Sequence, residues 1–146
     1  MKLFSVILLM FLIVGCSDSD SGEQTDQLIG TWILQEFEDT AANSSTSIPD
    51  NAKDILIVFS TSDFNGTTGS NEYMGRYSAD SKKLTFLELS RSEAGETEWG
   101  NKYFDAFRTA YDQENQKYIM SYLVSGNILK INYSDSKNLI FEKTGN

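Results

Sequence analysis

The sequence predicts an α+β domain, mostly antiparallel β: a curled sheet or partly open barrel packed on a single helix that precedes the last hairpin. Three observations predict it. Between Gly30 and residue 89, short runs rich in β-branched and aromatic residues alternate with turns rich in Gly, Asn, Asp and Ser. The apolar period then changes, and Trp99, Tyr103, Phe104, Phe107, Ala110 and Tyr111 share one face of a helix. Beyond them alternation returns, and connections this short force neighbouring strands to be antiparallel. Strands, one helix and then a meander give the α+β class.

Gly30-Thr31-Trp32-Ile33-Leu34-Gln35-Glu36-Phe37 reads as the first strand, started by a glycine turn. Residues 38–53 are polar, contain the sole proline, Pro49, and read as a long loop. Asp54-Ile55-Leu56-Ile57-Val58-Phe59 is a continuous apolar run of strand length, which predicts cover on both faces. Residues 63–71, with two glycines and two asparagines, read as turn. Tyr73-Met74-Gly75-Arg76-Tyr77-Ser78 is the next strand, residues 79–83 a turn, and Leu84-Thr85-Phe86-Leu87-Glu88-Leu89 another strand. The helix is placed at 96–112, with Thr97 or Ser92 as its cap and Glu96 and Glu98 suiting the positive end of its dipole. Residues 117–124, 128–133 and 138–143 are the closing strands, the first two joined by Ser125-Gly126-Asn127.

The N-terminus carries a separate message. Lys2 is followed by LFSVILLMFLIV, an uncharged run of signal-peptide length and too short for the about 20 apolar residues of a membrane span. Gly15 then precedes Cys16, an arrangement that resembles the lipobox of bacterial lipoproteins. Residues 1–15 are therefore expected to be an export signal cleaved between Gly15 and Cys16, with Cys16 the lipidated first residue of the mature chain. Cys16 is the only cysteine, and lipidation is a use for an otherwise idle thiol in an exported protein. Residues 16–27 are polar, acidic and without large apolar side chains until the domain begins, and are expected to be a flexible tether. The folded domain is placed at 28–146. Ser17 stands where an inner-membrane retention signal would have Asp, which favours the outer membrane, at its periplasmic face or at the cell surface.

Composition excludes several functions. The formal net charge is −9, and loss of Lys2 with the signal makes the mature chain more acidic still. Such a surface opposes binding to nucleic acid. Histidine is absent, so no Ser-His-Asp triad, Cys-His dyad, His-ligated zinc or haem can be built. No cofactor or metal site is expected: Asp18 and Asp20 lack the further ligands of a calcium loop, and Glu93, Glu96 and Glu98 read as a solvated helix start. The triplets at Asn43, Asn65 and Asn132 that match N-glycosylation acceptors are ascribed to chance in a bacterial lipoprotein.

The order of motifs resembles the META domain, the domain of HslJ-type heat-inducible lipoproteins. That family opens with a Leu-x-Gly-x-Trp strand, matched by Leu28-Ile29-Gly30-Thr31-Trp32. Its Gly-Cys-Asn turn and Gly-x-Tyr strand are matched by Gly69-Ser70-Asn71 and Gly75-Arg76-Tyr77. Leu84-Thr85-Phe86, Glu98 with the Tyr103 to Phe107 stretch, and the terminal hairpin complete the likeness, which covers about residues 28–143. The departure is at Ser70, where the family has Cys, its second Cys falling within residues 90–95; this chain has neither. The resemblance implies fold more than function, since the family has no established enzymatic activity. Read from its residues alone, Gly69-Ser70-Asn71 is a structural turn, because Gly and Asn tolerate positive φ and the Asn side chain bonds nearby backbone. Gly30-Thr31-Trp32 also looks like the Gly-x-Trp signature of lipocalins, but their helix follows the last strand, and here it precedes the final hairpin.

The expected function is that of a membrane-anchored, non-catalytic envelope domain, held by the lipid on Cys16 and contacting an envelope protein in an assembly or stress-protection role. The alternative is a lipocalin-like binding module for a small apolar ligand.

Overall fold

The computed structural model describes residues 25–145. Its elements are β1 (Gly30–Asp39), β2 (Ser44–Ser47), β3 (Leu56–Phe59), β4 (Asp63–Thr67), β5 (Glu72–Ala79), β6 (Lys83–Phe86), β7 (Ser90–Arg91), helix α1 (Glu98–Thr109), β8 (Tyr111–Asp112), β9 (Lys117–Ser125), β10 (Ile128–Ser134) and β11 (Lys137–Lys143). Residues 25–28 add a helical turn, so α1 is not the single helix expected, and the turn takes in residues that the sequence reading gave to the tether.

The sheet closes on itself. Going round it, β1, β3, β4, β5, β6, β9, β10 and β11 follow in chain order, every pair antiparallel, and β11 returns to β1. The expected curled or partly open sheet is therefore a closed eight-stranded barrel, with α1 inserted between its fifth and sixth strands. Closure follows from the length of β1. A bulge between Leu34 and Glu36 lets it pair with β11 along nearly its whole length, while its first half also pairs with β3.

Alternation fixes the inside. Trp32, Leu34, Ile57, Phe59, Phe64, Tyr73, Tyr77, Leu84, Phe86, Met120, Tyr122, Leu129, Ile131, Leu139 and Phe141 are buried, one face of every barrel strand. The run 55–59 follows this rule rather than the two-sided cover its sequence predicts: Ile55, Ile57 and Phe59 are buried, while Leu56 and Val58 are half-exposed on the outer wall. Small barrels fill their interior with side chains, so a single inward row suffices.

Other departures have local causes. Within the supposed loop 38–53, β2 pairs with the second half of β1, from Glu36↔Ser47 to Asp39↔Ser44. All four of its side chains are exposed, so only backbone bonds hold it and no apolar pattern marks it. The supposed turn 63–71 is mostly strand β4, because Phe64 points inward and Gly66 makes room for the Tyr73 ring, which an added Cβ would meet at 2.5 Å. β6 stops at Phe86 because the chain bulges at residues 88–89. Tyr77 pairs with Phe86 but Met74 with Ser90, one residue extra on the second side. Gly75 permits the bulge, since a Cβ there would lie 2.0 Å from the Glu88 carbonyl oxygen.

Each barrel end is plugged. At the start of β1, Leu28 is fully buried and its carbonyl accepts a 2.8 Å bond from Trp32 Nε1, while the Lys143 ammonium sits 4.9 Å over the Trp32 ring and donates to the Gln27 carbonyl. At the other end, Phe37 stacks on Trp99 of α1 at 6.1 Å. From there α1 crosses the mouth, packing Tyr103 on Tyr73 and Phe141 and Phe107 on Phe86 and Tyr118.

Candidate ligand site beside the helical lid

The lid is positioned by the turn 68–71. Gly69 adopts φ 75°, which reverses the chain between β4 and β5. Asn71 is buried, and its side chain is used completely. Nδ2 donates to the Ala94 carbonyl at 3.0 Å and to Glu96 Oε2 at 2.7 Å, while Oδ1 accepts from Ser92 Oγ at 3.0 Å and from Ala94 N at 2.8 Å. Thr68 Oγ1 donates to the same Glu96 oxygen at 2.8 Å. The other oxygen, Glu96 Oε1, accepts from Thr97 N at 2.9 Å. Thr97 then caps α1, its Oγ1 accepting from Gly100 N at 3.0 Å.

This network explains why α1 is shorter than 96–112. Glu96 lies ahead of the cap, tied to the turn, and Ser92 serves Asn71 instead of the helix. At the far end Ala110 caps α1, and Tyr111–Asp112 leave it to pair with β9. Of the three acids weighed as a carboxylate cluster, Glu93 and Glu98 are exposed and only Glu96 is half-buried.

Burial alone pushes the Glu96 carboxyl up, but the donors from Asn71, Thr68 and Thr97 outweigh it and hold the group below the ordinary glutamate value of 4.5. A depressed folded value means the latch stabilises the domain fully above the unfolded value, and the contribution fades as pH falls through the folded one. Unfolding free energy measured across acid pH should accordingly fall less steeply in Glu96→Gln than in the unaltered chain, the two converging at the acid end. Parallel curves would remove Glu96 from the acid response.

Under the lid the mouth is filled. Tyr73 Oη donates to the Leu56 carbonyl at 2.8 Å, so the 2.8 Å contact between the two phenols has Tyr103 as donor. Burial pushes both phenols up; the neighbouring Tyr103 adds to the rise at Tyr73, while the hydrogen bond with Tyr73 tempers it at Tyr103. They are neutral hydrogen-bonding groups in the core.

The described residues carry several concave surfaces open to solvent, and two of them bear on function. The larger, about 810 Å³, runs along the outer wall of β4 and β5; its floor is strand backbone and Gly66 and Gly75, and Arg76 within it is already paired with Glu88. The smaller, about 230 Å³, lies where the lid meets the rim. Phe104 and Phe107 form its floor, Leu89 and Tyr118 its walls, and Arg91 and Arg108 its edges. The second sets two aromatic side chains of the lid beside two arginines, the mix of apolar surface and placed polar groups that orients a small molecule.

The sequence reading missed these six residues. The aromatic stripe reads as core, and Phe104 and Phe107 are indeed buried, but Leu89 and Arg91, beyond the end of β6, leave a cleft along the lid's edge. The available signal was two of the chain's three arginines flanking an aromatic stripe. Of the residues singled out instead, Gly69, Ser70 and Asn71 sit in the turn that holds the lid, away from the cleft lining. Gly15 and Cys16 lie outside the described residues, as do Asp18 and Asp20. Among the described residues, no helix is long and apolar enough to cross a membrane.

No protein-family model matches the chain, and no curated protein matches it. Two solved structures resemble it along their full length. A protein from Burkholderia xenovorans, solved by NMR, is 19% identical with a TM-score of 0.62, covering 97% of this chain and 100% of its own. A crystal structure described as a lipocalin-like protein from Bacteroides uniformis is 18% identical with a TM-score of 0.54, covering 81% of this chain and 99% of its own. At these identities what is shared is the fold, a closed and mostly antiparallel β-barrel.

Proposed function

We propose that this domain is a non-catalytic binding module, lipocalin-like in architecture, that holds a small, largely apolar molecule in the cleft beside its helical lid. We also propose that the lipid on Cys16 anchors it to the outer membrane. The observation that carries the binding reading is the cleft itself: an aromatic floor at the rim of a closed barrel, flanked by arginines in an otherwise acidic chain. The likeness to a lipocalin-like protein supports it. The test is native mass spectrometry on residues 23–146 purified from the host periplasm without detergent. A reproducible extra mass that disappears on organic extraction is the expected result. A bare mass in every charge state counts against the reading.

A second reading, a META-like domain docking on an envelope protein, is favoured by Leu123 and Ile128, which are 55% and 37% exposed on the hairpin of β9 and β10. The abutment of the turn at Ser70 on residues 92–96, close to where that family places its two cysteines, supports the likeness. Crosslinking in the envelope from these hairpin positions would recover a defined partner if this reading holds.

A further inference from the structure

We propose that the cleft is built for a small carboxylate with an apolar body, an aromatic or short-chain acid, whose head group is taken by Arg91 and Arg108 while its body lies on Phe104 and Phe107. The proposal deepens the binding reading above and rests on it.

Size comes first. At about 230 Å³ the cleft falls below the roughly 300–1,000 Å³ of drug-sized sites, which suits one or two rings or a short chain. Charge comes next. The chain has 21 acidic residues and only three arginines, and two of the three line this one cavity. The third, Arg76, is committed to Glu88. The cleft edge is thus a local reversal of sign on an acidic surface, which favours anions there over neutral molecules of the same shape.

Geometry supports the role of each arginine. The Arg91 guanidinium carbon lies 4.6 Å above the Phe104 ring, and among the described residues Arg91 makes no ion pair. Stacking occupies the flat face of the guanidinium and orients it against the floor, while the in-plane N–H donors stay available for a carboxylate. Arg108 is paired with Asp105, three residues earlier on α1, with both side chains more than half exposed. Such a pair is weak, and a guanidinium has five donors, so Arg108 can add a second head-group contact without releasing Asp105. Asp105 is the acid that opposes the anion, and Arg91 offsets it from the facing strand segment.

The test uses the full chain in lipid nanodiscs, with empty nanodiscs as blank, titrated calorimetrically with 1-naphthoate and with 1-naphthamide. The two probes share a ring system and differ in charge. The expected result is naphthoate binding about tenfold more tightly, an advantage that shrinks as salt is raised. Arg91→Met should remove about tenfold of naphthoate affinity and leave naphthamide within about twofold, and Arg108→Met should act in the same direction. Phe104→Ala should weaken both probes alike. Equal affinity for the two probes, or naphthoate affinity unmoved in both arginine variants, overturns the head-group assignment and leaves the binding module standing. Binding of neither probe, in a chain whose unfolding transition is intact, overturns the choice of this cleft and the binding reading with it.

Discussion

Replacing Trp32 by Ala should cost the domain about 3–5 kcal/mol, the largest single-residue loss expected in this barrel. Trp32 is fully buried on β1, between the strands that close the ring, and it is the residue on which the end plug is built. Its removal opens a void that the surrounding strands, each hydrogen-bonded on both sides, are poorly able to collapse. It also leaves the Leu28 carbonyl without its 2.8 Å donor and the Lys143 ammonium without the ring beneath it. Denaturant unfolding measures the loss as a lower midpoint at unchanged slope. Trp32→Phe separates the parts: it keeps most of the ring and forfeits the hydrogen bond, for about 1–2 kcal/mol. Amide exchange at residues 27–28 should quicken in both variants. A loss below about 1 kcal/mol in Trp32→Ala would mean the ring is not the keystone of that end.

Replacing Asn71 by Ala should cost about 2–4 kcal/mol and loosen the lid, because four groups of the 92–96 segment lose a partner at once. Ser92 Oγ, the two Ala94 backbone groups and Glu96 Oε2 all contact the Asn71 amide, and no small side chain reproduces both its donor and its acceptor. The readout specific to the latch is hydrogen exchange in the first turn of α1, which should rise while β9, β10 and β11 stay protected. Asn71→Asp gives the sharper contrast. It retains the acceptor but sets a second carboxylate against Glu96, so one of the two must take a proton. Its stability should improve on moving from neutral pH towards about pH 5, opposite in sign to the unaltered chain. If stability moved with pH in the same direction in both, the contact between residues 71 and 96 would not govern the lid.

How much of this was legible in the sequence depends on what each residue does. Buried rows were legible: alternation around Trp32, Tyr77 and Phe86 and the helical stripe at Tyr103 to Phe107 placed most strands and the helix, because burial writes a period into the chain. Elements held by backbone alone were not, and β2, with its exposed Ser-Ser-Thr-Ser, is the case in point. Closure was illegible because it rests on pairing between residues about a hundred apart, such as Glu38↔Asn138, which no local pattern encodes. The glycines misled: Gly66 marked a turn by composition, whereas the structure uses its missing side chain to seat Tyr73 inside a strand. The cleft escaped notice because it depends on an uncovered edge, and whether a buried ring also meets solvent is settled by the neighbouring segment at Leu89 and Arg91. Asn71 was legible as a turn residue, but its four bonds to a segment more than twenty residues away were not.

The position of β11 has a consequence for the order of events in folding. It is the last strand made, and it is bonded on one side to β1 and on the other to β10. A chain emerging N-terminus first therefore carries most of its apolar residues before the seam that would enclose them exists. Contacts spanning almost the whole domain pay their loop-closure entropy late and fold slowly. For the exported, lipid-anchored chain proposed above, such reluctance would be an advantage: the topology itself delays compaction until β11 has been delivered.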